Sequence, residues 1–169
     1  MFAPEKTPNE RRKALRASLL DDKITTLPGA FNPLTARLIE DIGGFGGVYV
    51  SGAVLANDLG LPDIGLTTLT EVAHRGGQIA RATNLPVLID ADTGFGEPMS
   101  AARTVAEFEA AGLAALHLED QVNPKRCGHL DGKEVVPTDL MVRRITAAVR
   151  ERHDDDLSLI HISEPTRPY

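Results

Sequence analysis

The sequence predicts an α/β fold with a parallel sheet, and three features of the chain support this prediction. Short apolar segments alternate with longer segments of helical periodicity, which is typical of βαβ units. Residues 86–90 form an apolar run that ends in an aspartate, as in strands buried on both faces of a sheet. Polar residues follow the predicted strands, at Ser51, at Asp90 and Asp92, and at Glu119. In parallel α/β folds the functional site lies at the carboxyl ends of the strands, which is where these polar residues fall.

The predicted elements alternate along the chain after an N-terminal helix. Asn32 can cap a helix that has Pro33 in its first turn, and Gly43 can end it. Thr68 and Glu71 have the spacing of a capping box. The predicted helices cover residues 7–22, 33–42, 68–83, 101–111 and 139–153. The predicted strands cover residues 23–27, 47–51, 86–90, 114–119 and 157–160.

Composition argues against several classes of function. The net charge of −6 does not favour a nucleic-acid partner, because phosphate binding needs clustered lysine and arginine. No apolar run approaches the ~20 residues that span a bilayer, so no membrane association is expected. Residues 1–10 lack the apolar core of a secretory signal. Cys127 is the single cysteine, so no intrachain disulfide can form and a cytoplasmic location is expected.

The number of predicted units is small for a closed barrel. A (β/α)₈ barrel needs eight βα units and typically ~250 residues, whereas the 169 residues here supply only about four to five predicted units. The pattern alone does not separate a partial barrel from a doubly wound sheet. Residues 161–169 match no expected βα loop and resemble a translated adapter or vector sequence. We therefore expect one partial domain over residues 1–160 and a non-native tail over residues 161–169.

Asp90 and Asp92 form a candidate metal site. Residues two apart on a strand point to the same face, so the two carboxylates should project together. Paired carboxylates with retained water are what Mg²⁺ accepts. The alternative is one helix cap and one solvated side chain, but the glycine-rich loop that follows favours a ligand. On the next strand His117 and Glu119 also share a face, and they could support the metal. His117 is equally well explained as a core histidine.

The loop at residues 125–129 is the sharper candidate. Cys127 lies between Lys125, Arg126 and His129, and neighbouring cations favour the thiolate form. Such a cysteine can act as a general acid, while Lys125 and His129 can attract a carboxylate substrate. The alternative is an exposed basic loop with an incidental cysteine.

The end of the second predicted strand offers further candidates. Ser51 and the backbone N–H groups of residues 51–52 could bind a carboxylate, although from the residues alone a simple strand-to-loop turn explains them better. Tyr49 should face the same side as Ser51, and its phenol could serve as a base or could simply pack.

Together these stretches resemble the isocitrate lyase/phosphoenolpyruvate mutase superfamily, and the cysteine–histidine loop resembles its compact lyases. The resemblance covers roughly residues 11–150. It is carried by Val48-Tyr49-Val50-Ser51-Gly52, Leu59-Gly60-Leu61-Pro62-Asp63, Asp90-Ala91-Asp92-Thr93-Gly94-Phe95-Gly96, His117-Leu118-Glu119-Asp120-Gln121 and Lys125-Arg126-Cys127-Gly128-His129.

The resemblance implies a (β/α)₈ TIM-barrel fold, here truncated to about the first four to five βα units with an N-terminal helix. It also implies Mg²⁺, a small tricarboxylate substrate, a homotetramer, and cleavage of 2-methylisocitrate to pyruvate and succinate. Carried over to this chain, it implies substrate contacts from Ser51, Gly52, Ala53 and Gly128, metal binding by Asp90 and Asp92, support from Asp63 and Glu119, and Cys127 as the catalytic acid.

Two departures keep alternatives open. Ala53 stands where many superfamily members have glycine, and later substrate-binding residues of the superfamily would lie beyond residue 160. Cleavage of isocitrate, or chemistry on oxaloacetate or phosphonopyruvate, is the first alternative. A carboxylate-binding module without turnover and an inactive truncated fragment are the others. We expect the 169-residue chain to be inactive alone.

Overall fold

A computed structural model describes residues 4–128 and 130–163 of the chain. Two helices precede the first strand in this part, and one or two helices lie between successive strands. The helices are α1 (Pro8–Leu20), α2 (Pro33–Ile42), α3 (Gly52–Asp58), α4 (Leu69–Ala80), α5 (Pro98–Ala110) and α6 (Thr138–Glu151). The strands are β1 (Val48–Val50), β2 (Val87–Asp90), β3 (Ala115–Glu119) and β4 (Ser158–Ile162).

The four strands form one parallel sheet in the order β1-β2-β3-β4. Chain order without a reversal is the topology of a barrel sheet, whereas a doubly wound sheet has a switch point. Residues 26–30 lie alongside β1 on the side away from β2. There the Tyr49 N–H donates to the Pro28 carbonyl, and the Ala30 N–H donates to the Tyr49 carbonyl. The structure therefore favours the barrel arrangement that the sequence pattern left undecided.

Local signals account for most element boundaries. In α1 and α4 the capping boxes are present, with Thr7 paired to Glu10 and Thr68 paired to Glu71. The side chain of Asn32 caps α2 by accepting from the Thr35 N–H. The predicted strand at residues 23–27 is wrong. Ile24 in that segment is 96% exposed, and the isolated bridge lies further on, at Gly29.

The core lies between the sheet and the helices that follow its strands. All five residues of β3 are buried, and Phe108 of α5 is fully enclosed beside Ile89 and Leu116. Burial along every position of a strand requires cover on both faces, which is why these strands show no polar alternation. The predicted tail boundary at residue 160 falls inside β4, since His161 and Ile162 pair with Leu118 and Glu119. Residues 164–169 of the predicted tail lie outside the described residues.

Helix α1 is held against the N-terminal end of the sheet by a buried arginine. The guanidinium of Arg12 donates to the carbonyls of Leu113 and Glu109 at 2.9 and 2.7 Å and pairs with Asp154 at 2.7 Å. Asn9 also donates to Asp154, at 3.0 Å. These contacts join α1 to the loops before β3 and β4. None of the helices in residues 4–128 and 130–163 combines the length and the apolar character that a membrane span requires.

We expect Asp154→Asn to remove a pH-dependent part of the stability. Burial opposes ionisation, but hydrogen bonds from Asn9, Arg12 and the Asp156 N–H lower the pKa of Asp154 to about 2. This lies below the unfolded value of ~3.9, so the ionised carboxylate stabilises the fold above about pH 4 and loses its effect as the pH falls toward 2. Urea unfolding should show the variant less stable than the wild type at about pH 7, and this difference should be clearly smaller at about pH 2.5.

Asp155→Asn provides the control, because that neighbouring side chain is 98% exposed. An equal stability difference between wild type and Asp154→Asn at both pH values would contradict this role of Asp154.

Candidate active site

Three strand ends bring the predicted residues to one edge of the sheet. Ser51 follows β1, Asp90 is the last residue of β2, and Glu119 is the last residue of β3. Parallel pairing of neighbouring strands aligns these ends, since Asp90 is in register with His117. Asp90, His117 and Glu119 are all buried. The carboxyl edge of the sheet thus carries a cluster of enclosed polar side chains.

The carboxylates of Asp90 and Asp92 converge beside Gly52. The Gly52 N–H donates to Asp90 Oδ2 at 3.1 Å. A Cβ added to Gly52 would lie 2.9 Å from Asp90 Oδ2 and 3.3 Å from Asp92 Oδ1. Only a residue without a side chain allows this close approach, so Gly52 leaves room for oxygen atoms at the start of α3.

Asp92 reaches this position for a different reason from the one predicted. It lies beyond the end of β2 and has a left-handed backbone conformation with φ 46°, so strand alternation does not direct its side chain. Asp tolerates this conformation better than most residues. Asp90 Oδ1 accepts from the Asp92 N–H at 2.9 Å, and the Asp92 carbonyl accepts from the Glu119 N–H at 2.8 Å. The turn is therefore tied to both β2 and β3.

Lys125 is buried among carboxylates. Its Nζ lies 2.6 Å from Asp63 Oδ1 and 2.8 Å from Asp92 Oδ1, and its side chain is 2% exposed. Burial disfavours the ammonium, but the carboxylates of Asp92, Asp63 and Asp90 raise the pKa of Lys125 above its ordinary value. The sequence predicted that Lys125 faces the substrate. In the structure its charge is directed to the aspartates, and a substrate contact remains a prediction.

His117 lies between Tyr49 and Asp90. The Tyr49 hydroxyl lies 2.8 Å from His117 Nε2, the two rings stack at 5.6 Å, and His117 Nδ1 lies 3.7 Å from Asp90 Oδ1. A tautomer protonated on Nδ1 would accept the Tyr49 proton at Nε2 and face Asp90 with its N–H. Burial, Asp90 and Glu119 raise the pKa of Tyr49 above its ordinary value. In this environment Tyr49 is a neutral phenol.

Cys127 lies half-buried in a loop over residues 122–135, here called the cysteine loop. The base of the loop is closed by an antiparallel bridge, in which the Val122 N–H donates to the Glu134 carbonyl and the Val136 N–H donates to the Asp120 carbonyl, both at 2.8 Å. Inside the loop, Lys133 donates to the Gly128 carbonyl.

Gln121 is a site residue that sequence reasoning missed. It is 1% exposed and bonds both to Glu119 and to the backbone of Arg126. The signal in the sequence was its position two residues after Glu119, at the end of a stretch that carries the family resemblance but in which Gln121 was given no role.

The predicted substrate contacts are placed in different ways. Ser51 is the N-cap residue of α3 without a side-chain capping bond, and its side chain partly opposes the rise in the pKa of Tyr49. The Gly52 N–H is already used by Asp90, and Ala53 lies half-buried in the first turn of α3. His129 lies outside the described residues.

Negative charge exceeds positive charge in the described part of this cluster. Asp63, Asp90, Asp92 and Glu119 contribute carboxylates, and Lys125 contributes the ammonium that pairs with two of them. Burial raises the pKa of Asp92, and the negative charge of Asp90 raises it further although Lys125 opposes both effects. An additional cation would relieve this repulsion.

The donor set fits Mg²⁺. This ion takes oxygen ligands, usually one or two carboxylates from the protein with water and substrate in the remaining positions. In the described ranges no group of three or more His, Cys, Asp and Glu side chains is arranged to hold a metal ion, so at most two such side chains would be direct ligands. Asp90 and Asp92 could therefore bind the ion directly or through water, with Glu119 and Asp63 holding its waters.

Comparison with known proteins identifies relatives of this arrangement. Residues 15–162 match the family described as phosphoenolpyruvate phosphomutase. The chain is 72% identical over 155 residues to probable 2-methylisocitrate lyase 2 of Corynebacterium glutamicum, and this covers 92% of the chain and 50% of that protein. The chain spans about half the length of the curated relatives it matches.

Solved structures give the same relationship. A 2,3-dimethylmalate lyase in a trigonal crystal form superposes with a TM-score of 0.85 at 38% identity, covering 98% of this chain and 56% of that one. Phosphonopyruvate hydrolase in complex with oxalate and Mg²⁺ superposes with a TM-score of 0.83 at 34% identity, covering 94% of this chain and 53% of that one. The chain belongs to the phosphoenolpyruvate phosphomutase family, within the isocitrate lyase/phosphoenolpyruvate mutase superfamily that its motifs resemble.

Proposed function

We propose that this chain forms the first part of a (β/α)₈ barrel enzyme, a Mg²⁺-dependent carbon–carbon lyase that cleaves 2-methylisocitrate to pyruvate and succinate. The observation that carries this is the meeting of the buried carboxylates of Asp90 and Asp92 with the loop that bears Cys127. Lys125 joins the two, because its Nζ lies 2.8 Å from Asp92 and its backbone lies two residues before the cysteine. The 72% identity to a probable 2-methylisocitrate lyase supports this substrate over others.

The two halves of the site have separate tasks. When bound at Asp90 and Asp92, Mg²⁺ supplies Lewis-acid polarisation of substrate oxygen atoms. Asp63 and Lys125 hold the position of Asp92, and Gly52 holds that of Asp90. Fixed groups of this kind favour the reaction because they need little reorganisation as charge develops.

Cys127 supplies the proton that completes the cleavage. The substrate hydroxyl loses its proton and becomes the carbonyl of pyruvate as the carbon–carbon bond breaks. The electron pair of that bond passes to the carbon of the succinate fragment. A proton from Cys127 Sγ then forms the new C–H bond, and the resulting thiolate is reprotonated before the next turnover.

Tyr49 is the proposed acceptor of the hydroxyl proton. A phenol with a raised pKa holds its own proton at neutral pH, so it can accept another only as it gives up the first. The 2.8 Å contact with His117 Nε2 offers the route for that transfer. Tyr49 would thus act as a relay to His117 rather than as an ionised base.

The test is a lyase assay on a full-length protein that contains this sequence. Pyruvate release should require Mg²⁺, and kcat/KM for 2-methylisocitrate should exceed that for isocitrate by about tenfold or more, since one methyl group in a pocket changes specificity about 10–200-fold. The value for 2,3-dimethylmalate, which lacks one carboxylate of 2-methylisocitrate, should also be lower. Chelation of the metal should remove the activity.

Oxaloacetate and phosphonopyruvate serve as comparison substrates in the same assay. Faster turnover of either one, with no pyruvate from 2-methylisocitrate, would contradict the proposed reaction while leaving the family membership intact. The 169-residue chain assayed alone tests the separate prediction that it is inactive.

A further inference from the structure

Gln121 bonds to both halves of the proposed site with a single amide group. Its Nε2 donates to Glu119 Oε2 at 3.0 Å and to the Arg126 carbonyl at 2.8 Å, and its Oε1 accepts from the Arg126 N–H at 3.0 Å. Both amide hydrogens and the carbonyl oxygen are therefore used. The side chain is 1% exposed, so water does not compete for these bonds.

These bonds allow Gln121 to fix the conformation of the cysteine loop. Backbone bonds at residues 120–122 and 134–136 close the base of the loop. Gln121 holds the loop from within, at Arg126, the residue directly before Cys127. The N–H and the carbonyl of Arg126 belong to the two peptide units on either side of its Cα, and both units are therefore held by the Gln121 amide. The direction in which the chain enters Cys127 is set by these two bonds.

We propose that Gln121 is a positioning residue that holds Cys127 at a fixed place relative to the carboxylate cluster, through its simultaneous bonds to Glu119 and Arg126. The role in catalysis rests on the proposed function, whereas the positional role does not depend on it. Gln121 touches neither substrate nor metal in this assignment. It acts through the backbone of Arg126 and through Glu119.

The proposed role requires the three hydrogen bonds that the side-chain amide of glutamine forms at this position. Methionine has a similar length and shape but cannot form the three hydrogen bonds, so Gln121→Met separates packing from hydrogen bonding. Glutamate has the same shape and, when ionised, offers only acceptors to the Glu119 carboxylate and the Arg126 carbonyl. When protonated, glutamic acid can donate once and accept from the Arg126 N–H, which restores part of the pattern.

The test uses the fact that Cys127 is the single cysteine of the chain. The rate of its reaction with 4,4′-dithiodipyridine reports the accessibility of Cys127 directly. In Gln121→Met, Cys127 should react with 4,4′-dithiodipyridine about tenfold faster than in the wild type, or more. The reason is that the loss of these hydrogen bonds increases local opening of the cysteine loop. Gln121→Glu should show a rate increase over wild type that is large at about pH 8 and shrinks at about pH 5, as the new carboxyl protonates.

Two charged groups face the new carboxyl of Gln121→Glu. Glu119 of β3 contacts the side chain of residue 121, and the Arg144 guanidinium of α6 lies 3.5 Å from the backbone carbonyl of residue 121. Gln78→Met and Gln78→Glu are the matched controls, because Gln78 lies on α4 and bonds His74 there. They should label at the wild-type rate at each pH. A wild-type rate for Gln121→Met, or a Gln121→Glu effect independent of pH, would overturn the proposal.

Hydrogen exchange of the wild-type chain tests the same assignment without a variant. The Arg126 amide should exchange on the order of a hundredfold more slowly than that of Gly132, which lies exposed in the same loop. Equal exchange at the two amides would overturn it. In the full-length enzyme, Gln121→Met should lower kcat with little change in KM. If the wild-type enzyme shows no lyase activity, the proposed function fails while labelling and exchange still decide the role of Gln121.

Discussion

Replacing Cys127 with serine should reduce cleavage of 2-methylisocitrate by a full-length protein containing this sequence about 10²–10⁴-fold, the usual contribution of a general acid. A serine hydroxyl has nearly the same size but holds its proton far more tightly than a thiol. Binding of Mg²⁺ should be largely unchanged, because Asp90 and Asp92 are untouched. Steady-state turnover and calorimetric titration with Mg²⁺ measure the two properties separately.

A second measurement isolates the step assigned to Cys127. With pyruvate present, the wild-type enzyme should exchange methylene protons of succinate with solvent deuterium, and Cys127→Ser should lose this exchange. A thiol placed elsewhere, as in Cys127→Ser with Ser18→Cys, should not restore it, since Ser18 lies on α1 at the opposite end of the sheet. Full turnover in Cys127→Ser would exclude Cys127 as the acid.

Replacing Lys125 with methionine should destabilise the metal-free chain by about 3–5 kcal/mol, the usual cost of removing one partner from a buried ion pair. Asp63 and Asp92 would then face each other without the ammonium that lies 2.6 and 2.8 Å from them. Because Mg²⁺ can replace the missing positive charge, the ion should raise the stability of the variant more than that of the wild type. Urea unfolding with and without Mg²⁺ provides the comparison.

Lys13→Met is the matched control, because Lys13 lies exposed on α1. Its unfolding free energy should change by less than about 0.5 kcal/mol. Adding Asp92→Asn to Lys125→Met should recover part of the loss, since one of the two carboxylates then carries no charge. A loss below about 1 kcal/mol in Lys125→Met, or an equal effect of Mg²⁺ on variant and wild type, would contradict this account.

Much of the fold could be predicted because its signals are local. Capping residues such as Thr7, Asn32 and Thr68 specify where helices begin, and apolar runs specify β2 and β3. Helix α3 was not predicted, because seven residues are too few for a helical period to appear and Gly52 and Asn57 are weak helix formers. Its place depends on a tertiary contact, the bond from the Gly52 N–H to Asp90.

The candidate site shows the same division between local and tertiary information. Residue types and spacings indicated Asp90, Asp92, Glu119 and Cys127 as chemical groups. They did not show where the Asp92 side chain points, because the left-handed backbone at this residue is stabilised by hydrogen bonds to β2 and β3 rather than by strand geometry. A side chain's direction outside regular structure depends on such contacts, which no local pattern encodes.

By itself, the sequence determined the alternation of strands and helices, the edge of the sheet at which polar residues gather, and the kinds of chemistry those residues can perform. These properties depend on residue type and short-range order along the chain. Only the tertiary structure decided that Lys125 neutralises Asp63 and Asp92, that His117 lies between Tyr49 and Asp90, and that Gln121 holds the peptide before Cys127. Those contacts connect strands and loops far apart in the chain, and burial gives them their strength by removing the water that would otherwise compete.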